Sequence, residues 1–149
     1  TNITEYNLNW RELVMRLNSD IAFKFKKIFK EDWDNYNKNV IDKKANSRMI
    51  RHDTCEILRD VPSISIKRIS NRYIQLVKKA KDQILIETPY FLPGFMLRKA
   101  LMDAAKRGVI VTIIIPKHSD VSLVDILRNK YLGQLYKSGI HFLFYIPHN

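Results

Sequence analysis

At 149 residues and 46% hydrophobic content, the chain is long enough to bury a core and too short for two full-sized domains. Its 26 lysines and arginines against 15 acids give a net charge of +11, which favours phosphate-bearing partners, anionic membrane surfaces or nucleic acid, without choosing between them. The single cysteine, Cys55, excludes an internal disulfide, and no apolar run approaches the roughly 20 residues of a membrane-spanning helix. The lone cysteine fits a reduced, intracellular setting, and the opening residues show no signal-peptide pattern.

In chain order, the alternation Leu13, Met15, Leu17 predicts a short strand, and Ser19 is placed to cap a helix whose apolar face is Ala22, Phe25, Phe29 and Trp33. Residues 35–53 lose periodicity and read as a linker or exposed excursion. A strand over 54–58 follows, holding Cys55 in an alternating rather than a reactive setting. Next comes a basic helix with Ile66, Ile69, Tyr73, Leu76 and Ala80 at helical spacing.

A strand over 83–87 leads into a helix with Leu97, Leu101 and Ala104 inward, ended by Gly108 where a C-cap favours positive φ. The strand 109–115 comes next, then a helix over 122–137 that buries Val124, Leu127, Tyr131 and Leu135 and stops before Gly139, and a strand over 140–146. This alternation predicts an α/β fold, a mainly parallel sheet sandwiched by helices with its strands buried on both faces. Functional loops of such sheets lie beyond the strands' C-terminal ends.

Two of those ends are unusual. The strand 83–87 runs into Thr88-Pro89-Tyr90-Phe91-Leu92-Pro93-Gly94, and the strand 109–115 runs into Pro116-Lys117-His118-Ser119-Asp120. The prolines restrict the backbone where it leaves the sheet, while Tyr90 and Phe91 supply either an aromatic wall with one hydroxyl or a rigid turn with its rings in the core. Tyr90, Phe91 and Asp120 are the candidate pocket residues by position.

Phosphate loops rich in glycine, paired-cysteine zinc patterns and G-x-S-x-G elbows are all missing from the sequence. The four histidines lie on different elements without metal-ligand spacing, and His52, His118 and His141 are followed two residues on by Thr54, Asp120 and Leu143 rather than lysine. His141 sits in an apolar strand and reads as packed or partly buried. His118 and Asp120 follow a strand, where a Ser119/Asp120 helix cap explains them as well as a site does. His52 falls in the linker, and His148 ends a strand. The basic clusters mostly read as the polar outer faces that amphipathic helices need.

The segments Ile84-Leu85-Ile86-Glu87-Thr88-Pro89-Tyr90-Phe91-Leu92-Pro93-Gly94-Phe95, Ala104-Ala105-Lys106-Arg107-Gly108-Val109 and Ile113-Ile114-Ile115-Pro116-Lys117-His118-Ser119-Asp120, in that order and spacing, resemble the second half of bacterial cardiolipin synthases, in the phospholipase D superfamily. Residues 131–142 resemble that family's next helix, turn and strand, which lead to its second H-x-K-x(4)-D motif. Trp10 to Leu17 and Phe29 to Trp33 resemble the strand and helix after its first motif.

The resemblance implies that 1–38 end a first phospholipase D-like lobe, 39–53 form a linker, and 54–149 begin a second lobe that stops just before its motif. It implies a bilobal enzyme in which one histidine forms a phosphohistidine, the other acts as general acid and base, and lysines stabilise phosphoryl charge, with no metal or other cofactor. Phosphatidylglycerol-type lipids would be donor and acceptor, at the cytoplasmic side of the cell membrane. The expected partners are an anionic phospholipid surface and the motif-bearing segments of the same protein. No catalytic residue is assigned among the 149, which alone are expected to be inactive. The alternatives are a nuclease or other phosphodiesterase of the same superfamily, and a catalytically silent basic module that binds anionic lipid or nucleic acid.

Overall fold

The computed structural model describes residues 14–37, 50–52, 55–60 and 67–146. They fall into two compact units that divide between Asn71 and Arg72.

The first unit contains helix α1 (Ile21–Asn37) and the strands β1 (Ile50–His52) and β2 (Cys55–Ile57). Ser19 does open α1: its hydroxyl accepts the Ile21 amide at 3.3 Å. The expected apolar face, with Phe29 and Trp33 stacked at 5.9 Å, is exposed among the described residues. The strand expected around Met15 is not formed, and Leu13 lies outside the described residues. Val14, Met15 and Leu17 are all exposed, and among the described residues no sheet buries one side of their alternation. β1 and β2 pair antiparallel in register Ile50 with Ile57 and His52 with Cys55. Cys55 thus sits in a strand, as expected, and is exposed.

Helix α2 (Arg68–Lys79) starts where the Asp60 carboxylate accepts the Arg68 and Ile69 amides at 2.7 and 3.2 Å. Those are two of the donors that a helix N-terminus leaves open. Its expected apolar stripe is only partly used. Val77 is buried, with Ile74 and Ala80 packed beside it, while Ile69, Tyr73 and Leu76 are exposed. The wide stripe turns one edge to the core, and Ile66 lies outside the described residues.

The second unit continues as β3 (Gln83–Glu87), α3 (Phe95–Lys106), β4 (Ile110–Pro116), α4 (Ser122–Lys137) and β5 (His141–Tyr145). β3, β4 and β5 form a parallel sheet in that order, with Ile84 opposite Val111 and Ile113 opposite Phe142. Successive right-handed crossovers in one direction place α3 and α4 on the same face. There Val111, Ile113 and Ile115 are buried with Leu101, Ala104 and Leu135 in one cluster. Each fully buried valine, leucine or isoleucine among them contributes about 1.5–3 kcal/mol. The alternating, parallel α/β architecture matches the sequence reading. Burial on the opposite face does not, because Leu85, Ile110 and Leu143 are 67%, 60% and 54% exposed there.

Both helix exits toward the sheet use one device. Gly108 at φ +89° donates its amide to Ala105 while Val109 donates to Ala104; Gly139 at φ +87° donates to Tyr136 while Ile140 donates to Leu135. These are Schellman caps, and the residue after each glycine is buried at the start of a strand. Arg107 adds a third fastening, donating to the carbonyls of Val77, Lys78 and Ala80 at 3.2–3.4 Å where α2 ends.

A methyl group added at Gly108, Gly139 or Gly133 would meet no atom within 4 Å, so backbone conformation alone decides each substitution. Gly108→Ala and Gly139→Ala are each expected to lose about 1–2 kcal/mol from the left-handed backbone. Gly133→Ala, inside α4, should gain roughly 0.5–1 kcal/mol. Denaturant midpoints of the intact protein measure all three, and a shared sign would contradict the cap assignment.

Candidate functional site

The loops after β3 and β4 lie side by side at the C-terminal edge of the sheet. Thr88 extends the β3 ladder by donating its amide to Ile114 at 3.1 Å, and Lys117 extends β4 by donating to Tyr145 at 2.9 Å. Beyond these points the chain leaves the sheet. The Thr88 hydroxyl bonds both the amide and the carbonyl of Tyr90 at 3.3 Å, closing a tight turn.

That turn separates its two aromatics. Phe91 points into the core, 4% exposed and edge-on to Phe142 at 6.2 Å, so it takes the packed alternative of the sequence reading. Tyr90 stays exposed, and its hydroxyl donates to Asp120 Oδ1 at 2.6 Å. Tyr90 and Asp120, chosen separately from two strand ends, are thereby brought together. An open, largely apolar groove of about 710 Å³ runs from Tyr73 and Leu76 on α2 along β3 to Tyr90, Pro93 and Leu97.

Arginines fasten both loops. Arg98 donates to the Pro93 carbonyl at 3.2 Å and lies over the Tyr131 ring at 4.1 Å. Arg128 donates Nη1 to Pro116 O at 3.0 Å and Nη2 to Lys117 O at 3.2 Å, and pairs with Asp125 at 3.0 Å. Asp125 accepts the Ser119 amide at both carboxylate oxygens, 3.3 and 3.1 Å. The sequence reading missed all three side chains. Arg128 nevertheless stands four residues after Val124 and three before Tyr131, inside the apolar face of α4, and a cation inside such a stripe is the visible signal.

The cap expected from Ser119 and Asp120 is replaced by a different arrangement. The N-cap of α4 is Val121, without a side-chain cap; the Ser119 hydroxyl instead bonds Val121, and Asp120 is engaged by Tyr90. His141 is exposed rather than packed, because its register partner Thr112 places it on the sheet face opposite the core. His118 is exposed in the β4 loop, His52 pairs through its backbone in β1, and His148 lies outside the described residues.

The electrostatics follow from these contacts. The hydrogen bond to Asp120, then desolvation and the Asp120 charge, hold the Tyr90 phenol above its ordinary value. Desolvation opposes the Asp125 charge, but the Ser119 amide and hydroxyl, Arg128 and His118 together outweigh it and keep the carboxyl below its ordinary value. The signs are opposite. Tyr90 stabilises the fold below the ordinary phenol range and loses that contribution as pH rises through its own raised value. Asp125 stabilises it above the ordinary aspartate range and loses that as pH falls through its lowered value. With fluorotyrosine at position 90 of the intact protein, fluorine NMR should show late ionisation that moves down in Asp120→Asn. An unchanged titration in that variant would show that the bond is not formed.

The family model described as "Cardiolipin synthase, PLD-like domain" matches residues 73–149, just over half of the chain and the whole of both strand-end loops. Curated cardiolipin synthases from Listeria welshimeri (28% identity) and Oceanobacillus iheyensis (30% identity) each align over 91% of this chain and 29% of their own length. The probable cardiolipin synthase YwiE of Bacillus subtilis aligns at 29% identity over 88% of this chain and 27% of its own. The chain therefore spans less than a third of the relatives it matches. Among solved structures, polyphosphate kinase from Porphyromonas gingivalis covers 58% of this chain and 13% of its own at a TM-score of 0.39 and 18% identity, too slight to bear on the fold. The strand, loop and helix elements that build the Tyr90–Asp120 contact all fall inside the span matched by the family model, and on that match the chain belongs to the cardiolipin synthase family of phospholipase D-like domains.

Proposed function

We propose that these residues form part of a phosphatidyltransferase that joins two phosphatidylglycerol-type lipids. The observation that carries this reading is the family match over the unit that contains both strand-end loops. The apolar groove that ends at Tyr90 supports a lipid over a polyanion. So does the burial of Arg128 against main-chain carbonyls, which keeps its guanidinium from a phosphate-tracking surface.

The chemistry would run through histidine and lysine residues supplied by H-x-K-x(4)-D motifs, which these 149 residues do not contain. A histidine nitrogen attacks the donor's phosphorus; the bond to its headgroup glycerol breaks, and a second histidine protonates that alkoxide. The second histidine then takes the proton of the acceptor's hydroxyl, whose oxygen displaces the phosphohistidine. Two phosphatidylglycerols become one cardiolipin and one glycerol. Tyr90 and Asp120 would stand at the rim of this site as substrate-facing groups. The reaction would take place at the cytoplasmic face of a membrane; no described helix is long and apolar enough to cross one.

The test is the intact protein in phosphatidylglycerol vesicles, with cardiolipin and glycerol measured together. The reading expects them in equal amounts, with the 149-residue chain alone inactive. Cleavage of nucleic acid without lipid transfer would replace it with the phosphodiesterase alternative. Salt-sensitive vesicle binding with no turnover of either substrate would replace it with a silent binding module.

A further inference from the structure

The turn after β4 is held by an ion pair where the core could have used an apolar residue. Arg128 is 3% exposed, its neighbours on the α4 face are Val124, Leu127, Tyr131 and Leu135, and its Nε is buried without a hydrogen-bond partner among the described residues. Removing a guanidinium from water is costly, and a well-packed apolar side chain of similar volume commonly gives equal or better stability. What an apolar residue cannot do is hold carbonyls at fixed positions. Arg128 holds two consecutive ones, Pro116 and Lys117, and through Asp125 it fixes the Ser119 amide. Asp120 is the next residue along.

We propose that Arg128 and Asp125 are positioning residues: together they fix the 116–119 backbone so that the Asp120 carboxylate meets the Tyr90 hydroxyl, making the two strand-end loops one rigid rim. The catalytic consequence rests on the transferase reading, and the geometric claim does not. The planar, bidentate fork of arginine is what the task requires; a lysine could keep a charge near Asp125 but could not span both carbonyls in the same geometry.

The experiment uses the intact protein with fluorotyrosine at position 90 and the variants Arg128→Met, Arg128→Lys, Asp125→Asn and Asp120→Asn, each checked for folding by circular dichroism. In Arg128→Met the Tyr90 ionisation should move to where Asp120→Asn puts it, with Arg128→Lys and Asp125→Asn moving part of the way. Cardiolipin formation should fall up to about a hundredfold in kcat in Arg128→Met. The Arg128→Met/Asp120→Asn double variant should be no worse than the more damaged single, because both act on one contact. Where Arg128→Met fails to fold, Arg128→Lys and Asp125→Asn decide the matter. Folded variants in which Tyr90 titrates as in the parent protein, or losses that add in the double variant, overturn the proposal. A parent protein without transferase activity but with the Tyr90 shifts intact would sink the lipid reading and leave the positioning role standing.

Discussion

The carbonyls of Pro116 and Lys117 sit where β4 gives way to a loop, and a buried guanidinium meets them both. A strand buried among apolar side chains must have its terminal polar groups paired, because an orphaned carbonyl in such a place costs about 1–3 kcal/mol. Arg128 meets that requirement and, through Asp125, extends it to the Ser119 amide. The same solution recurs in the unit: Arg98 holds Pro93 beyond β3, and Arg107 holds the last carbonyls of α2. The sheet gives the two loops their common edge, and arginines give them their fixed shape.

This use of arginine divides the basic surplus in two. Lys78, Lys79, Lys81, Lys99, Lys106, Lys117, Lys130 and Lys137 are all exposed, while Arg98, Arg107 and Arg128, respectively half-buried, exposed and buried, serve backbone carbonyls. The distinction has a chemical basis. Guanidinium is planar and weakly hydrated and can satisfy several acceptors from one buried position, while an ammonium group retains its water. The net charge of +11 thus combines exposed lysines with one arginine, Arg128, whose charge is spent inside the fold.

Much of the second unit was legible in the sequence because its signals are local and agree with one another. The unbroken β-branched run that became β4, the glycines after α3 and α4, and the apolar spacing of Leu101, Ala104 and Leu135 each follow from one short stretch of chain. Other features depend on partners far along the sequence. His141 reads as packed until its register with Thr112 puts it on the exposed face. The alternation of Met15 and Leu17 means a strand only where a sheet receives it, and β1 is a three-residue strand, Ile50–His52, created by pairing inside a stretch that reads as linker. Of the candidate site, Tyr90 and Asp120 were visible as strand-end residues, and the packing of Phe91 stood as one of two alternatives. Arg128 was hidden because a search for apolar periodicity passes over a cation within the stripe.

Site-resolved hydrogen exchange of the Ser119 amide in the intact protein reads whether the buried ion pair holds this loop. Ser119 lies outside the sheet ladder, and its amide bonds the Asp125 carboxylate that Arg128 holds. A loop so held gives protection comparable to that of the Thr88 and Lys117 amides, which extend the sheet itself. Exchange at the rate of an open loop, with Thr88 and Lys117 still protected, would show that the loop is not held by the buried ion pair.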